Sequence, residues 1–318
     1  MKVGVTTGNF GTFGEDPGVD GCLAVAEEAE RLGYDSVWVH DHVIMPSGVR
    51  SRYLYNDTGV SPFRTEQFIY DPIVVMAAIG ARTSRVGIGT SVLVMPYRNP
   101  IVLAKMLSTI DRVSNGRVIL GIGVGWMAEE FDALGIADYW PERGDVTDEF
   151  VAVCIDLWTQ AGPSSFRGKW VRYENVGANP LPVQKPHIPI WVGGKTKAAI
   201  RRTARYGSGY HTVASTPAQV REEVAAVKAE MERAGRDPDD LVVSMLWAFS
   251  AITGRDELID TLNEYERAGL HHLVGIPWLR AVELSALSPA DRLHATLDNM
   301  RLFASEVLPA MRDGTGPS

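Results

Sequence analysis

Cysteine is almost missing from this sequence: Cys22 and Cys154 are the only two in 318 residues. They lie far apart in helix-like stretches, which excludes a disulfide framework and predicts inert, buried thiols suited to a reducing cytoplasm. Positive charge is also short, with 31 lysines and arginines against 39 acids and a net charge of −8. No basic run gathers anywhere, so a nucleic-acid partner is not expected. No apolar stretch reaches the length of a bilayer crossing, and the opening "MKVGVTTGNF" has no apolar signal core. A cytoplasmic protein without a membrane partner is the expectation. Several catalytic strings are missing as well: no G-x-S-x-G elbow, no P-loop, no C-x-x-C and no H-E-x-x-H.

What is present is alternation. Short apolar runs at 2–7, 35–41, 85–94, 116–126, 188–194, 209–214, 241–250 and 271–277 read as strands. Helical patterns follow them at 20–34, 71–84, 99–114, 143–160, 195–206, 216–234, 254–268 and 289–311. Gly33 ends the first helix, while Asp71-Pro72 and Asn99-Pro100 each supply a cap and a first-turn proline. Strands this apolar have no wet face, so they predict a parallel sheet covered on both sides. Eight strand–helix units in one domain over 1–318 suggest a closed (β/α)8 TIM barrel, with an open doubly wound sheet as the alternative. The surplus chain falls in two insertions, 42–70 after the second strand and 161–187 before the fifth. The latter reads as a hairpin plus an extended arm.

The stretch "GRVILGIGVGW" (116–126) places Gly121, Gly123 and Gly125 at the end of the fourth strand. A dinucleotide fingerprint needs G-x-G-x-x-G, but the third glycine falls on Trp126 from one register and on Ala128 from the other. That reading fails. The expectation is that bare backbone lowers one wall of a barrel mouth for a flat or phosphorylated ligand. The other strand ends carry Asn9, His40-Asp41-His42, Thr90-Ser91, Gly193-Gly194, His211, Ser250 and Gly275. Small, polar or titratable groups thus gather where a barrel builds its site. His40 and His42 share one strand face, but no third ligand joins them, so no metal is assigned. His211 stands at a productive end and is a candidate ligand contact, whereas His271-His272 begin a strand and are expected to pack or meet solvent. The tryptophans are core by default, with Trp126 and Trp278 lying where a ring or apolar substrate would pass.

The run "SRVGIGTSVLVMPYRNPIVLAKMLSTIDRVSNGRVILGIGVGWMAEEFDALGI" closely resembles the bacterial luciferase-like monooxygenase superfamily. The later "PHIPIWVGGKTKAAIRRTARYGSGY" and the Asp41-His42 pair resemble it too, and "GVGW…EEF…LG" is most similar to its F420-dependent oxidoreductase branch. The resemblance implies a barrel holding coenzyme F420, or alternatively FMN, across its mouth. By position it implies that Asp41 contacts the cofactor and that His42 stands beside the reacting carbon as proton donor. It implies a non-proline cis peptide at Ser91-Val92 behind the ring, with Val94, Val124 and Gly125 lining the same ring. Gly193, Gly194, Lys195 and Thr196 would hold the phosphate, and Lys197, Arg201 and Arg202 would meet the anionic tail. A homodimer through the helices after the second and third strands is also implied.

One departure stands out. Trp126 occupies the place where sugar dehydrogenases of the family carry a catalytic glutamate, which speaks against a sugar phosphate. Glu129 and Glu130, a turn later, are expected to face solvent. The first functional reading is therefore hydride transfer between F420 and a small organic substrate. FMN-dependent monooxygenation in a dry pocket around Met45, Val94 and Trp126 is the alternative, and a non-catalytic flavin-binding protein is a third.

Overall fold

A computed structural model describes residues 1–10, 18–54, 58–213, 215–247, 254–277 and 287–312. The strands are β1 (Lys2–Thr6), β2 (Ser36–Val39), β3 (Gly87–Thr90), β4 (Leu93–Val94), β5 (Val118–Gly123), β6 (Ser164–Arg167), β7 (Arg172–Val176), β8 (Ile190–Gly193), β9 (Gly209–Val213), β10 (Val242–Leu246) and β11 (His272–Val274). The helices are α1 (Gly18–Leu32), α2 (Pro72–Arg82), α3 (Pro100–Val113), α4 (Ala128–Ala133), α5 (Arg143–Thr159), α6 (Lys197–Tyr206), α7 (Pro217–Arg233), α8 (Arg255–Arg267), α9 (Pro289–Glu306) and α10 (Leu308–Arg312). Among the described residues, no helix is long and apolar enough to cross a membrane.

The sheet runs β3-β2-β1-β11-β10-β9-β8-β5 with every pair parallel, and β3 also pairs with β5. That last pairing closes the barrel and excludes the open sheet. The predicted third strand, 85–94, is two pieces: β3 stops at Thr90, a cis peptide joins Ser91 to Val92, and β4 resumes against β5. The insertion 161–187 contains the antiparallel β6–β7 hairpin, and the end of 42–70 is tied to the mouth by an antiparallel bridge between Phe10 and Ile69.

Local chemistry sets the helix ends. The Asp71 carboxylate accepts the Ile73 and Val74 N–H groups at 2.8 and 3.1 Å, and Asn99 does the same for Ile101 and Val102 at 3.0 and 3.3 Å. Thr216 and Gln219 form a capping box on α7. The predicted helix 289–311 breaks at Val307 into α9 and α10, because Pro309 has no N–H to continue the ladder.

The lower barrel interior is aromatic rather than aliphatic. Trp38 and Trp191 lie 5.2 Å apart between ring centroids, and His211 stacks on Trp38 at 5.8 Å and 6°. Gly4, Gly89 and Gly209 leave the space: a Cβ at any of them would collide with the indoles or with Ser36. The Trp38 indole donates to Ser36 Oγ at 2.7 Å, and that hydroxyl in turn meets His272 Nε2 at 2.7 Å. His272 is therefore a packed core residue. Cys22 and Cys154 are both buried, and burial pushes the Cys154 thiol up.

Candidate functional site

The C-terminal end of β2 is held from several sides. Asn9 accepts the His40 N–H at 2.8 Å and donates to the His40 and Tyr70 carbonyls at 2.8 and 3.1 Å. His40 Nδ1 donates to the Ser91 carbonyl at 2.7 Å, and burial lowers its pKa. It braces the strand break and is unavailable to a ligand at that nitrogen. Asp41, 4% exposed, takes a two-pronged bond from Arg98 at 2.7 and 2.9 Å and the Val94 N–H at 2.9 Å. Burial pushes the Asp41 carboxyl up, while Arg98 and the Val94 N–H pull it down. Arg98 also donates to Asp71 at 2.7 Å, so the cap of α2 and the end of β2 share one guanidinium.

His42 is 8% exposed, and its Nδ1 lies 2.7 Å from Glu130 Oε2. Glu130 does not face solvent as expected; it is 0% exposed. Its Oε2 also accepts the Tyr97 hydroxyl at 2.8 Å, and its Oε1 accepts the Val43 and Ile44 N–H groups at 2.7 and 3.3 Å. Glu129 likewise turns inward, accepting the Arg50 and Ser51 N–H groups at 2.8 and 3.1 Å, while the Ala128 N–H donates to Ser51 Oγ at 2.9 Å. Burial favours the protonated Glu129 carboxyl, but these hydrogen bonds together outweigh it and hold the pKa below the usual carboxylate value. The physical reason for the correction is the insertion. Its backbone donors at 43–44 and 50–51 need acceptors, and the first turn of α4 supplies them. Aromatic rings close around the histidine: Phe10 stacks on it at 5.2 Å, Phe63 lies at 5.6 Å and Trp126 meets it edge-on at 6.2 Å. Tyr53 packs on both Phe63 and Trp126 at 5.4 and 5.1 Å.

The glycines of "GIGVG" serve a neighbour before any ligand. A Cβ at Gly121 would fall on the Thr90 carbonyl oxygen, and one at Gly123 would come within 2.6 Å of Val92 Cγ2. A Cβ at Gly193 would lie 2.8 Å from Val92 Cγ1. The expectation of a wall lowered for a ligand is thus corrected for Gly121 and Gly123: their space is filled by the detour of the third strand. What the mouth receives is Val92 itself, half-buried on a glycine floor. Val94 is buried against Gly125 and Val124 is half-buried beside it. Gly125, at φ +83°, sits where a side chain would strain the backbone and strike Phe131 at 2.7 Å. The Arg143 guanidinium donates to the Gly125 carbonyl at 3.3 Å and stacks 4.1 Å over Trp140.

His211 is 1% exposed and both ring nitrogens are engaged. Nε2 meets Ser91 Oγ at 2.9 Å, and Nδ1 donates to Ser244 Oγ at 2.7 Å, whose proton goes to the Tyr210 carbonyl at 3.3 Å. Burial pushes its pKa down to about 3. It supports Ser91 from beneath and does not reach the mouth, which corrects its expected place as a ligand contact. Past β8, Gly194 adopts φ +111°, Lys195 is exposed, and Thr196 caps α6 by accepting the Ala199 N–H at 3.1 Å. Lys197 and Arg201 are exposed. Arg202 cannot serve an anionic tail: it is buried, ion-paired to Asp148 and bonded to the Gly144 carbonyl at 2.9 Å. Ser250 and Trp278 lie outside the described residues.

Sequence reasoning missed Arg98, Tyr97, Glu130 and the rings of Phe10, Tyr53 and Phe63. One signal was present. Arg98 is the single basic residue between Arg85 and Lys105, in a turn opposite the strand end that carries Asp41.

Similarity to known proteins accords with this architecture. The chain superposes on an F420-dependent secondary alcohol dehydrogenase in complex with an F420–acetone adduct, with a TM-score of 0.75 and 21% identity over 98% of this chain and 99% of that one. It also superposes on the oxygenating constituent of 3,6-diketocamphane monooxygenase from Pseudomonas putida in complex with FMN, with a TM-score of 0.73 and 16% identity over 97% and 98% of the two chains. Identities this low speak to the fold. In sequence, the chain is 32% identical over 221 residues to the F420-dependent glucose-6-phosphate dehydrogenase of Gordonia bronchialis, covering 68% of this chain and 60% of that protein. The family model for luciferase-like monooxygenases matches residues 1–302, and the chain belongs to that family.

Proposed function

We propose that this chain is an oxidoreductase that transfers a hydride between coenzyme F420 and a small organic substrate other than a sugar phosphate. The observation that carries it is the convergence, at one barrel mouth, of the Val92 platform, the Gly193–Thr196 turn and His42. The residues present fit a planar ring with a phosphate. Val92 fills a cradle that a Cβ at Gly123 or Gly193 would take, and it keeps one apolar face half-buried toward the mouth. Ser91, Val92, Val94, Val124 and Gly125 would line the ring. Asp41, expected to contact the cofactor itself, has its carboxylate taken by Arg98 and the Val94 N–H and would act on the ring's edge only through the Val94 backbone. Gly193, Gly194, Lys195 and the capped first turn of α6 behind Thr196 would hold the phosphate, since helix N–H groups and a lysine both favour an anion. When bound, F420 supplies a two-electron hydride carrier. His42 Nε2, left over after Nδ1 engages Glu130, gives or takes the substrate proton. Phe10, Phe63 and Trp126 pack around the imidazole and limit the water that reaches it.

In this reading residues 1–318 act as one domain of a cytoplasmic homodimer. Val74 on α2 and Ile101, Val102, Met106 and Val113 on α3 leave an exposed apolar face of the kind that pairs with a second copy. Sedimentation at the monomer mass would remove the dimer.

Titrating F420 against intrinsic tryptophan fluorescence, with FMN in parallel, tests the cofactor. Saturable quenching by F420 at micromolar concentration is expected, and none by tens of micromolar would overturn the reading. The aromatic shield over His42 favours a second reading, FMN-dependent monooxygenation, because oxygen chemistry also needs a dry pocket. Turnover that consumes O2 only with a flavin reductase present would favour it.

A further inference from the structure

We infer that Glu130 is a positioning residue that uses one carboxylate to fasten both the 42–70 insertion and the proton of His42. The Nε2 lone pair then faces the mouth only while the insertion is seated. A carboxylate only accepts, and four donors converge on this one: the Val43 and Ile44 N–H groups on Oε1, and His42 Nδ1 and the Tyr97 hydroxyl on Oε2. Nδ1 must therefore be the donor, which leaves the neutral ring's proton on Nδ1 and Nε2 bare. The two functions cannot separate, because the segment that carries Val43 and Ile44 begins at His42 itself. Glu129 repeats the arrangement one residue earlier in α4, taking the Arg50 and Ser51 N–H groups, so α4 is bonded to the insertion at two places. Burial makes the carboxylate hard to replace: at 0% exposure no water stands ready to take over its donors.

The inference rests on reading His42 as the proton carrier, but its test needs neither cofactor nor substrate. Ring nitrogen-15 shifts separate a protonated from a bare nitrogen, and His42 is assigned by the signals lost in His42→Asn. In the cofactor-free protein, at a pH where the ring is neutral, His42 is expected to carry its proton on Nδ1. In Glu130→Gln the amide oxygen stays with Val43 and Ile44, and its N–H2 group turns to Nδ1, so the proton is expected on Nε2. Tyr97→Phe should leave the proton on Nδ1. Hydrogen exchange at the Val43 and Ile44 amides is expected to stay slow in Glu130→Gln and to rise at least tenfold in Glu130→Ala. A wild-type ring protonated on Nε2, a Glu130→Gln ring still protonated on Nδ1, or unchanged exchange in Glu130→Ala would each overturn the inference. If Glu130→Ala does not fold, the glutamine variant and the wild-type ring still decide. Should the ring result stand while F420 fails to bind, the functional reading falls and this one remains. Where F420 does bind, Glu130→Gln should lower kcat at least tenfold with little change in F420 affinity.

Discussion

A missing methyl group can be a requirement of a neighbour rather than of the residue itself. Gly121 has no side chain because the Thr90 carbonyl occupies the place, and Thr90 Oγ1 donates back to the Gly121 carbonyl at 2.7 Å. Gly121→Ala is expected to cost about 3 kcal/mol or to prevent folding, because the clash is with backbone. Gly162→Ala, where a Cβ meets nothing within 4 Å, should stay within about 0.5 kcal/mol. Urea denaturation of the two variants compares them directly, and equal midpoints would contradict the packing account. At the mouth, His42→Asn should keep F420 affinity within a few-fold while lowering turnover about 100-fold or more. Joint loss of both would make His42 a structural residue. The spacing of the glycines was legible in the sequence, but their purpose was not, since it depends on which atom of another strand fills the gap. Glu129-Glu130 misled for a related reason: two acids opening a short helix look solvated until the insertion that needs them is in place.

At the level of elements, the chain announces its helix starts clearly. Asp71, Asn99, Thr196 and Thr216 each precede a helix and each accepts a backbone N–H of its first turn. The Thr196 cap matters twice in this account, for the stability of α6 and for the aim of its first N–H groups. Thr196→Ala is expected to cost about 1 kcal/mol in folding and to weaken F420 binding several-fold. A binding constant that does not move would detach α6 from the phosphate. What single-element reading could not supply is the break in the third strand. The stretch from Val86 to Val94 has the pattern of one strand apart from the polar Thr90-Ser91, and the pause at Ser91-Val92 is fixed by His40, Val39 and His211 from other strands. Ends of elements were thus readable from local chemistry, whereas the interruption at Ser91-Val92 was legible only through the family resemblance, which implied the cis peptide found there.

For the whole molecule, the alternation of eight apolar runs with helices gave the barrel, because buried parallel strands need cover on both faces. Closure itself is the β3–β5 pairing, which no run of residues encodes alone. The packed interior carries a pH liability. Burial lowers His211 and His272 from 6.5 to about 3 in the folded chain, so the unfolded chain binds more protons between those values. Their contribution is complete above pH 6.5 and is lost as pH falls toward 3, by about 1.4 kcal/mol per pH unit for each histidine. Glu28 and Glu30, lowered from 4.5 to about 2 by their hydrogen bonds, add a loss in the same direction only below pH 4.5. The urea midpoint should therefore drop steadily from pH 6.5 to 5, ahead of the carboxylates. A flat midpoint over that interval would mean that these rings are not neutral and buried.

The measurement that bears most directly on the central claim is a crystal structure of the protein soaked with F420. The deazaflavin ring is expected against Ser91–Val92 beneath His42, with its phosphate on Gly193–Thr196. A ring bound elsewhere, or a phosphate that bypasses the start of α6, would contradict the account.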